Sequence, residues 1–210
     1  MRLSLELLGA DPAAVDLRGL TIGFFDDDPF LRPVPSLRRA LGRARQALEA
    51  RGARLVPHTP VASEEVIFLW LAALSADGGR TMDRALDGEQ VSAQLKPSRT
   101  LLRLPELLRG AASKLVERLG EERVSKLLAS LGEKTVTEVW ELTDRRTRLR
   151  HDEFDRWRRA GLDAVICPPH VVPALAHRQS ADFALSLGAQ FRWTLLDFPA
   201  AVVPVTTVSS

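Results

Sequence analysis

Residues 20–57 constrain the fold more than any other stretch of the chain. Residues 21–25 (Thr-Ile-Gly-Phe-Phe) form a short apolar run rich in β-branched and aromatic side chains. The cluster Asp26-Asp27-Asp28-Pro29 closes it, so the run reads as a buried strand. Pro33 and Pro35 keep the next residues extended, and Ser36 then stands at an N-cap position before Leu37, Leu41, Ala44 and Leu48 at helical spacing, with Gly52 as terminator. Residues 54–57 supply a second strand. Strand, helix and strand in so short a span imply a right-handed crossover joining parallel strands, which sets the class as α/β.

Further along, residues 62–74 read as a helix ending in the turn Ser75-Ala76-Asp77-Gly78-Gly79. Residues 101–119 place Leu104, Leu107, Leu108, Ala111, Leu115 and Leu119 on one helical face, interrupted only near the start by Pro105. A second amphipathic piece, 124–131, follows Gly120. Residues 135–160 predict a long helix with a stripe through Val136, Val139, Trp140, Phe154 and Trp157, stopped by Gly161. A third strand is expected at 163–169 and a fourth at 201–205. No repeat or low-complexity linker divides the chain, so residues 1–210 are expected to form a single domain or part of one.

Composition narrows the partners. Hydrophobic residues make up 45% and charged residues 27%, the make-up of a folded chain. The 29 Lys and Arg nearly cancel the 27 Asp and Glu for a net charge of +2, so no global field draws in nucleic acid. One cysteine excludes an intrachain disulfide, and residues 1–11 lack the pattern of a secretory leader. No run approaches the roughly 20 apolar residues that cross a bilayer. A cytoplasmic setting is expected.

Self-contained catalytic constellations are scarce. There is no Gly-x-Ser-x-Gly elbow, phosphate-cradling loop or His-Glu-x-x-His. His58, His151, His170 and His177 are scattered, so neither a metal nor a cofactor is expected. The Asp26 to Asp28 run reads as a solvated strand-end turn. Cys167, at a strand end with His170 close in sequence, is either a nucleophile or a small buried hydrophobe. The seven arginines of residues 145–159 interleave with Asp144, Asp152, Glu153 and Asp155, as in a self-paired, solvated helix face.

Six short motifs in order resemble the later part of the amidase-signature family, on its fatty-acid amide hydrolase branch. They are Leu-Thr-Ile-Gly-Phe-Phe-Asp-Asp-Asp, Pro-Val-Pro-Ser-Leu-Arg-Arg-Ala, Leu-Glu-Ala-Arg-Gly-Ala-Arg-Leu-Val-Pro, Ser-Ala-Asp-Gly-Gly, Asp-Ala-Val-Ile-Cys-Pro-Pro and Leu-Asp-Phe-Pro-Ala-Ala-Val-Val-Pro-Val-Thr-Thr-Val. The likeness runs from about Leu17 to Val208. It implies a partial α/β/α sandwich with a mixed central sheet, incomplete in this chain. It also implies hydrolysis of a carbon-nitrogen amide bond by a Ser-Ser-Lys triad, in which a lysine acting through a bridging serine deprotonates the nucleophile. The Gly/Ser-rich stretch and lysine of that scheme precede the matched region, so no catalytic residue is assigned here.

The resemblance also implies substrate-binding positions. Leu74 and Ser75 match a region lining the acyl-chain channel, although Ser75 stands where relatives have phenylalanine. Trp193 and Thr194 match a stretch reaching the acyl pocket; a buried aromatic and a helix-bound threonine are the alternative account. Residues 101–131 occupy the place of a helical cap that touches one membrane leaflet, with a helix packed on its own core as the alternative. The expected partners are a small-molecule amide, a lipid amide among the candidates, a membrane surface contacted peripherally, and a second copy in a full-length homodimer. The competing reading is a non-catalytic binding or assembly module on the same scaffold. A nucleotide-binding protein ranks last, because Asp26 to Asp28 would repel phosphate.

Overall fold

The structure, a computed structural model, describes residues 15–208 apart from 94, 178 and 180–182. Three parallel strands, β1 (Thr21–Phe24), β2 (Arg54–Pro57) and β3 (Ala164–Ile166), form one sheet in the order β2-β1-β3. Ile22, central and buried, faces Leu55 on one side and Ala164 on the other. At the start of β1 the Asp163 carboxylate accepts the Thr21 N–H at 2.8 Å, extending the β1–β3 pairing by one side-chain bond.

Helix α1 (Pro35–Ala50) links β1 to β2 as expected, but it begins differently. Val34 is its N-cap and Pro35 takes a first-turn position, where its missing N–H costs nothing; Ser36 lies inside the helix and caps nothing. Helices α2 (Ser63–Leu74), α3 (Arg80–Ala85), α4 (Lys96–Arg103), α5 (Glu106–Arg118), α6 (Glu122–Ser130) and α7 (Val136–Ala160) lie between β2 and β3. After β3, a 3-10 turn (Ala184–Leu187) runs into α8 (Gly188–Leu195). The helix expected over 101–119 is two helices, because Pro105 forces extended backbone at Leu104. The strand expected at 201–205 is absent: residues 198–208 carry no regular structure, since no described strand edge pairs with them.

Helix α7 is bounded as its sequence dictates. Thr135 and Glu138 form a reciprocal capping box at its start, and Gly161 adopts φ 61° at its end. Its inward face is not the expected stripe: Val136 and Trp140 are 75% and 69% exposed, whereas Leu149 and Glu153 are buried. Leu149 joins Val61, Val66, Leu69, Leu195 and Leu196 in the core, with Trp70, Leu142 and Phe198 packed against them. Helix α2 meets α8 through Trp70 and Phe191, stacked at 3.7 Å between ring centroids.

Helix α5 is inverted relative to an ordinary surface helix. Leu107, Leu108, Leu115 and Leu119 are exposed, by 88% at Leu107, so the stripe does not pack on the chain's own core. Inward lie Arg109, which donates to the Leu104 carbonyl at 3.0 Å, and Ser113, hydrogen-bonded to the Ser125 hydroxyl at 3.0 Å and carbonyl at 3.1 Å. Among the described residues no helix is long and apolar enough to cross a membrane.

Gly23, in the middle strand, permits the sheet's close cover. A Cβ there would lie 2.8 Å from Leu162 Cδ1 and 3.1 Å from both His58 Cβ and Val165 Cγ2. Gly23→Ala is expected to lower the unfolding free energy by about 1–3 kcal/mol in urea titration through overpacking. Gly42→Ala, with open space around an ordinary helical backbone, is expected to raise it by up to about 1 kcal/mol.

Candidate functional site

All three parallel strands end at one edge of the sheet, and each runs into residues that carry chemistry: β1 into Asp26 to Asp28, β2 into His58, and β3 into Cys167 and His170. In open parallel sheets this carboxyl edge is where ligands bind. Here it holds a network of buried ions contributed by four segments.

Glu153 of α7 is fully buried and accepts three hydrogen bonds. Its Oε1 accepts from His58 Nε2 at 2.8 Å and Trp157 Nε1 at 3.1 Å, and its Oε2 from the Val61 N–H at 2.8 Å. Burial pushes the carboxyl up, but these three donors and the charge of His58 together outweigh it and hold Glu153 below the usual carboxylate range. Arg192 of α8, 1% exposed, donates to the Val61 carbonyl, the Ser63 hydroxyl and Asp28 Oδ2, the last at 3.2 Å. Ser63 in turn donates to Asp28 Oδ2. Asp28 Oδ1 accepts the N–H groups of Phe30 and Leu31 at 2.9 and 3.1 Å, so this member of the acidic run is locked in place rather than solvated.

Between this edge and α6 lies a cleft of about 410 Å3, lined among others by Asp27, Asp28, Phe30, His58, Ser63 and Arg123. Lys126 of α6 fixes its rim by reaching Glu64 at 2.6 Å and Glu122 at 2.7 Å. Arg123 lies over the Phe30 ring at 4.6 Å. The cleft is large enough for a small organic molecule.

The remaining edge residues offer little reactivity. Burial pushes the Cys167 thiol up, against a hydrogen bond from Trp193 and the charge of Arg192, which favours the buried-hydrophobe account over a thiolate nucleophile. His170 Nε2 lies 2.9 Å from Ser186 Oγ, but that hydroxyl is also 2.6 Å from the Phe183 carbonyl, and the cavity beside His170 is only about 20 Å3. No acyl group fits there.

Of the residues expected to bind substrate, none lines either cavity. Leu74, the last residue of α2, is 64% exposed. Ser75 is buried; its hydroxyl donates to the Leu71 carbonyl at 2.8 Å and accepts the Gly132 N–H at 3.1 Å, tying α2 to the α6–α7 turn. Trp193 packs against Phe25, Trp157 and Phe198 at 6.4, 6.5 and 5.8 Å between centroids. Thr194 is exposed, its hydroxyl 3.5 Å from the Gln190 carbonyl. The helices bearing the two pairs touch through Trp70 and Phe191, but no described contact joins the pairs themselves. Glu153, read from the sequence as one acid of a solvated helix face, is instead fully buried because His58, Trp157 and the Val61 N–H close on it, and Arg192 escaped notice, its only signal being an arginine between two aromatics at 191–193.

The arginines of 145–159 are paired more widely than expected. Arg148 meets Asp144 within α7, whereas Arg145 reaches Glu65 at 3.3 Å and Arg146 and Arg150 both reach Asp197.

The network gives a pH signature. Because the folded-state pKa of Glu153 is depressed, its contribution is present above the unfolded value near 4.3 and is lost as pH falls through the lower folded value. Stability is therefore expected to fall on acidification below about pH 5. Glu153→Gln should flatten that part of the profile, and Glu153→Ala should cost about 3–5 kcal/mol at neutral pH by stranding its donors. Urea unfolding as a function of pH checks both.

The amidase family model matches residues 9–210. The chain is 32% identical to fatty-acid amide hydrolase 1 of Sus scrofa over 92% of its own length and 33% of that relative's. It is 29% identical to fatty acid amide hydrolase 1 of Caenorhabditis elegans, over 90% of the chain and 33% of the relative. A solved structure of fatty acid amide hydrolase superimposes with a TM-score of 0.64 at 19% identity, covering 90% of this chain and 28% of that one. The chain thus has the fold of part of that protein and spans about a third of the length of the relatives it matches.

Proposed function

Because the chain belongs to the amidase family, we propose that it is the supporting part of an amide hydrolase, and that the reactive Ser-Ser-Lys groups are supplied by residues outside it. The carrying observation is the pairing of a family match over residues 9–210 with coverage of only a third of the relatives. In the proposed reaction the lysine takes the nucleophile's proton through the bridging serine, and the serine oxygen attacks the amide carbon. The carbon-nitrogen bond breaks as the amine leaves with a proton, and water then hydrolyses the acyl ester.

This chain's part is to wall the substrate space. Leu74 and Thr194 are exposed and Trp193 is half-buried, which leaves them available to an acyl chain. Ser75 acts through its small size, since its hydroxyl is already bound within the fold. A serine-directed fluorophosphonate is expected to leave the isolated chain unlabelled, with no amide hydrolysis; stoichiometric labelling, or turnover by this chain alone, would overturn the reading. The 410 Å3 cleft supports a second reading, a non-catalytic binding module on the same scaffold, which predicts small-molecule binding without turnover.

The exposed leucines of α5, with Lys114 and Arg118 beside them, support a peripheral membrane contact through residues 101–131. Co-sedimentation with anionic phospholipid vesicles is the check. Leu107→Asp with Leu119→Asp is expected to weaken binding about tenfold or more without loss of fold, since both side chains face solvent.

A further inference from the structure

The cleft of about 410 Å3 has the volume of a small-molecule site, and its lining decides which class of molecule it takes. One part of that lining is apolar, made by Pro29, Phe30, Pro60 and Val61. The rest is ionisable, and its carboxylates are already engaged. Asp27 pairs with Arg32 at 3.2 Å, Asp28 with the buried Arg192 at 3.2 Å, and Glu64 and Glu122 share Lys126 at 2.6 and 2.7 Å. His58 is held through Nε2 by Glu153.

Arg123 is the exception: it lines the cleft but enters no ion pair with another described residue. Its guanidinium lies over the Phe30 ring at 4.6 Å, a contact that fixes the group without using any of its N–H donors. An exposed arginine is well solvated, so lack of a partner alone selects nothing; Arg39 on the outer face of α1 is equally exposed and unpaired. What sets Arg123 apart is its place, over an aromatic ring and beside a concave space with an apolar wall. Water leaves such a space for a ligand that replaces its hydrogen bonds and also covers the apolar wall.

The charges choose the sign of that ligand. A cation entering the cleft meets carboxylates already neutralised by Arg32, Arg192 and Lys126. A carboxylate meets a planar fork of free donors that matches it in geometry. A phosphate dianion brings a second negative charge toward Asp27, Asp28, Glu64 and Glu122, and Coulomb repulsion opposes it.

We propose that the cleft binds a small organic monocarboxylate, its charge on Arg123 and its apolar body against Phe30, Pro60 and Val61. The inference rests on the binding-module reading of the cleft, to which it gives a ligand class, and is independent of whether amides are hydrolysed.

The test titrates the chain calorimetrically with four probes: benzoate, its neutral isostere benzamide, benzylamine and inorganic phosphate. Benzoate is expected to bind about tenfold or more tightly than each of the others, because only it joins a single negative charge to an apolar body. Arg123→Gln should weaken benzoate binding about tenfold or more and leave urea unfolding unchanged, since the side chain is exposed. Arg39→Gln, which removes an unpaired guanidinium outside the cleft, should leave benzoate binding unchanged. Benzamide binding as tightly as benzoate, or Arg123→Gln binding benzoate like the unaltered chain, would overturn the carboxylate proposal and leave the binding-module reading standing. A preference for benzylamine or phosphate would do the same. No binding of any of the four at millimolar concentration counts against both.

Discussion

The backbone of Val61 holds together two buried ions of opposite sign. Its N–H donates to Glu153 and its C=O accepts from Arg192, so one residue in the β2–α2 connection hydrogen-bonds both a carboxylate from α7 and a guanidinium from α8. An ion stripped of water without such partners costs several kcal/mol, and neither group survives buried unless the loop is in place. The loop in turn is held by Ser63 and by Asp28 from the end of β1. Sheet, long helix and last helix are therefore fixed relative to one another by ions as much as by the Val61, Leu149 and Leu195 core. Such a network tolerates little repacking, because removing any member leaves another charged group unpaired in an apolar setting.

That arrangement explains which parts of the fold were legible in the sequence. The β1–α1–β2 unit was, because its signals are local: a strand run, a helical period and a glycine stop lie in one stretch. The ends of α7 were too, since Thr135 and Gly161 act within a turn of themselves. The inward face of α7 was not. Glu153 sits among arginines and aspartates and looks like any solvated acid, and it becomes a core residue only when His58, Val61 and Trp157 close around it from positions far away in sequence or a turn along the helix. A pattern that counts only apolar residues selects Val136 and Trp140 instead, which face outward. Of the expected substrate positions, Leu74 and Ser75 came from likeness to relatives, and nothing local foretold that the Ser75 hydroxyl would bridge to Gly132.

Helix α5 shows the same reversal at the surface. Its amphipathic period was read correctly, but period alone does not say which face turns inward. Ser113 meeting Ser125 gives α5 and α6 a polar seam that small hydroxyls can satisfy at close approach, and the leucines are left on the other side. Helix α6 also lines the cleft and is held to α2 through Lys126 and Glu64, so the leucine face and the cleft's rim belong to one helix pair.

Among the described residues Arg109, Glu153 and Arg192 are charged side chains buried beside an apolar core, while leucines at 107–119 and valines at 202–208 lie exposed. Buried ions are tolerated where hydrogen bonds fix them, and large exposed apolar clusters mark surfaces that something covers. The two exposed clusters differ in kind. The α5 leucines ride on a helix whose backbone is already satisfied, so an apolar surface of any sort suffices. The valines of 200–208 ride on backbone that makes no backbone–backbone hydrogen bond among the described residues and is left to water. The two clusters thus differ in how their backbone is satisfied, the first by its own helix and the second by solvent, although both expose apolar side chains.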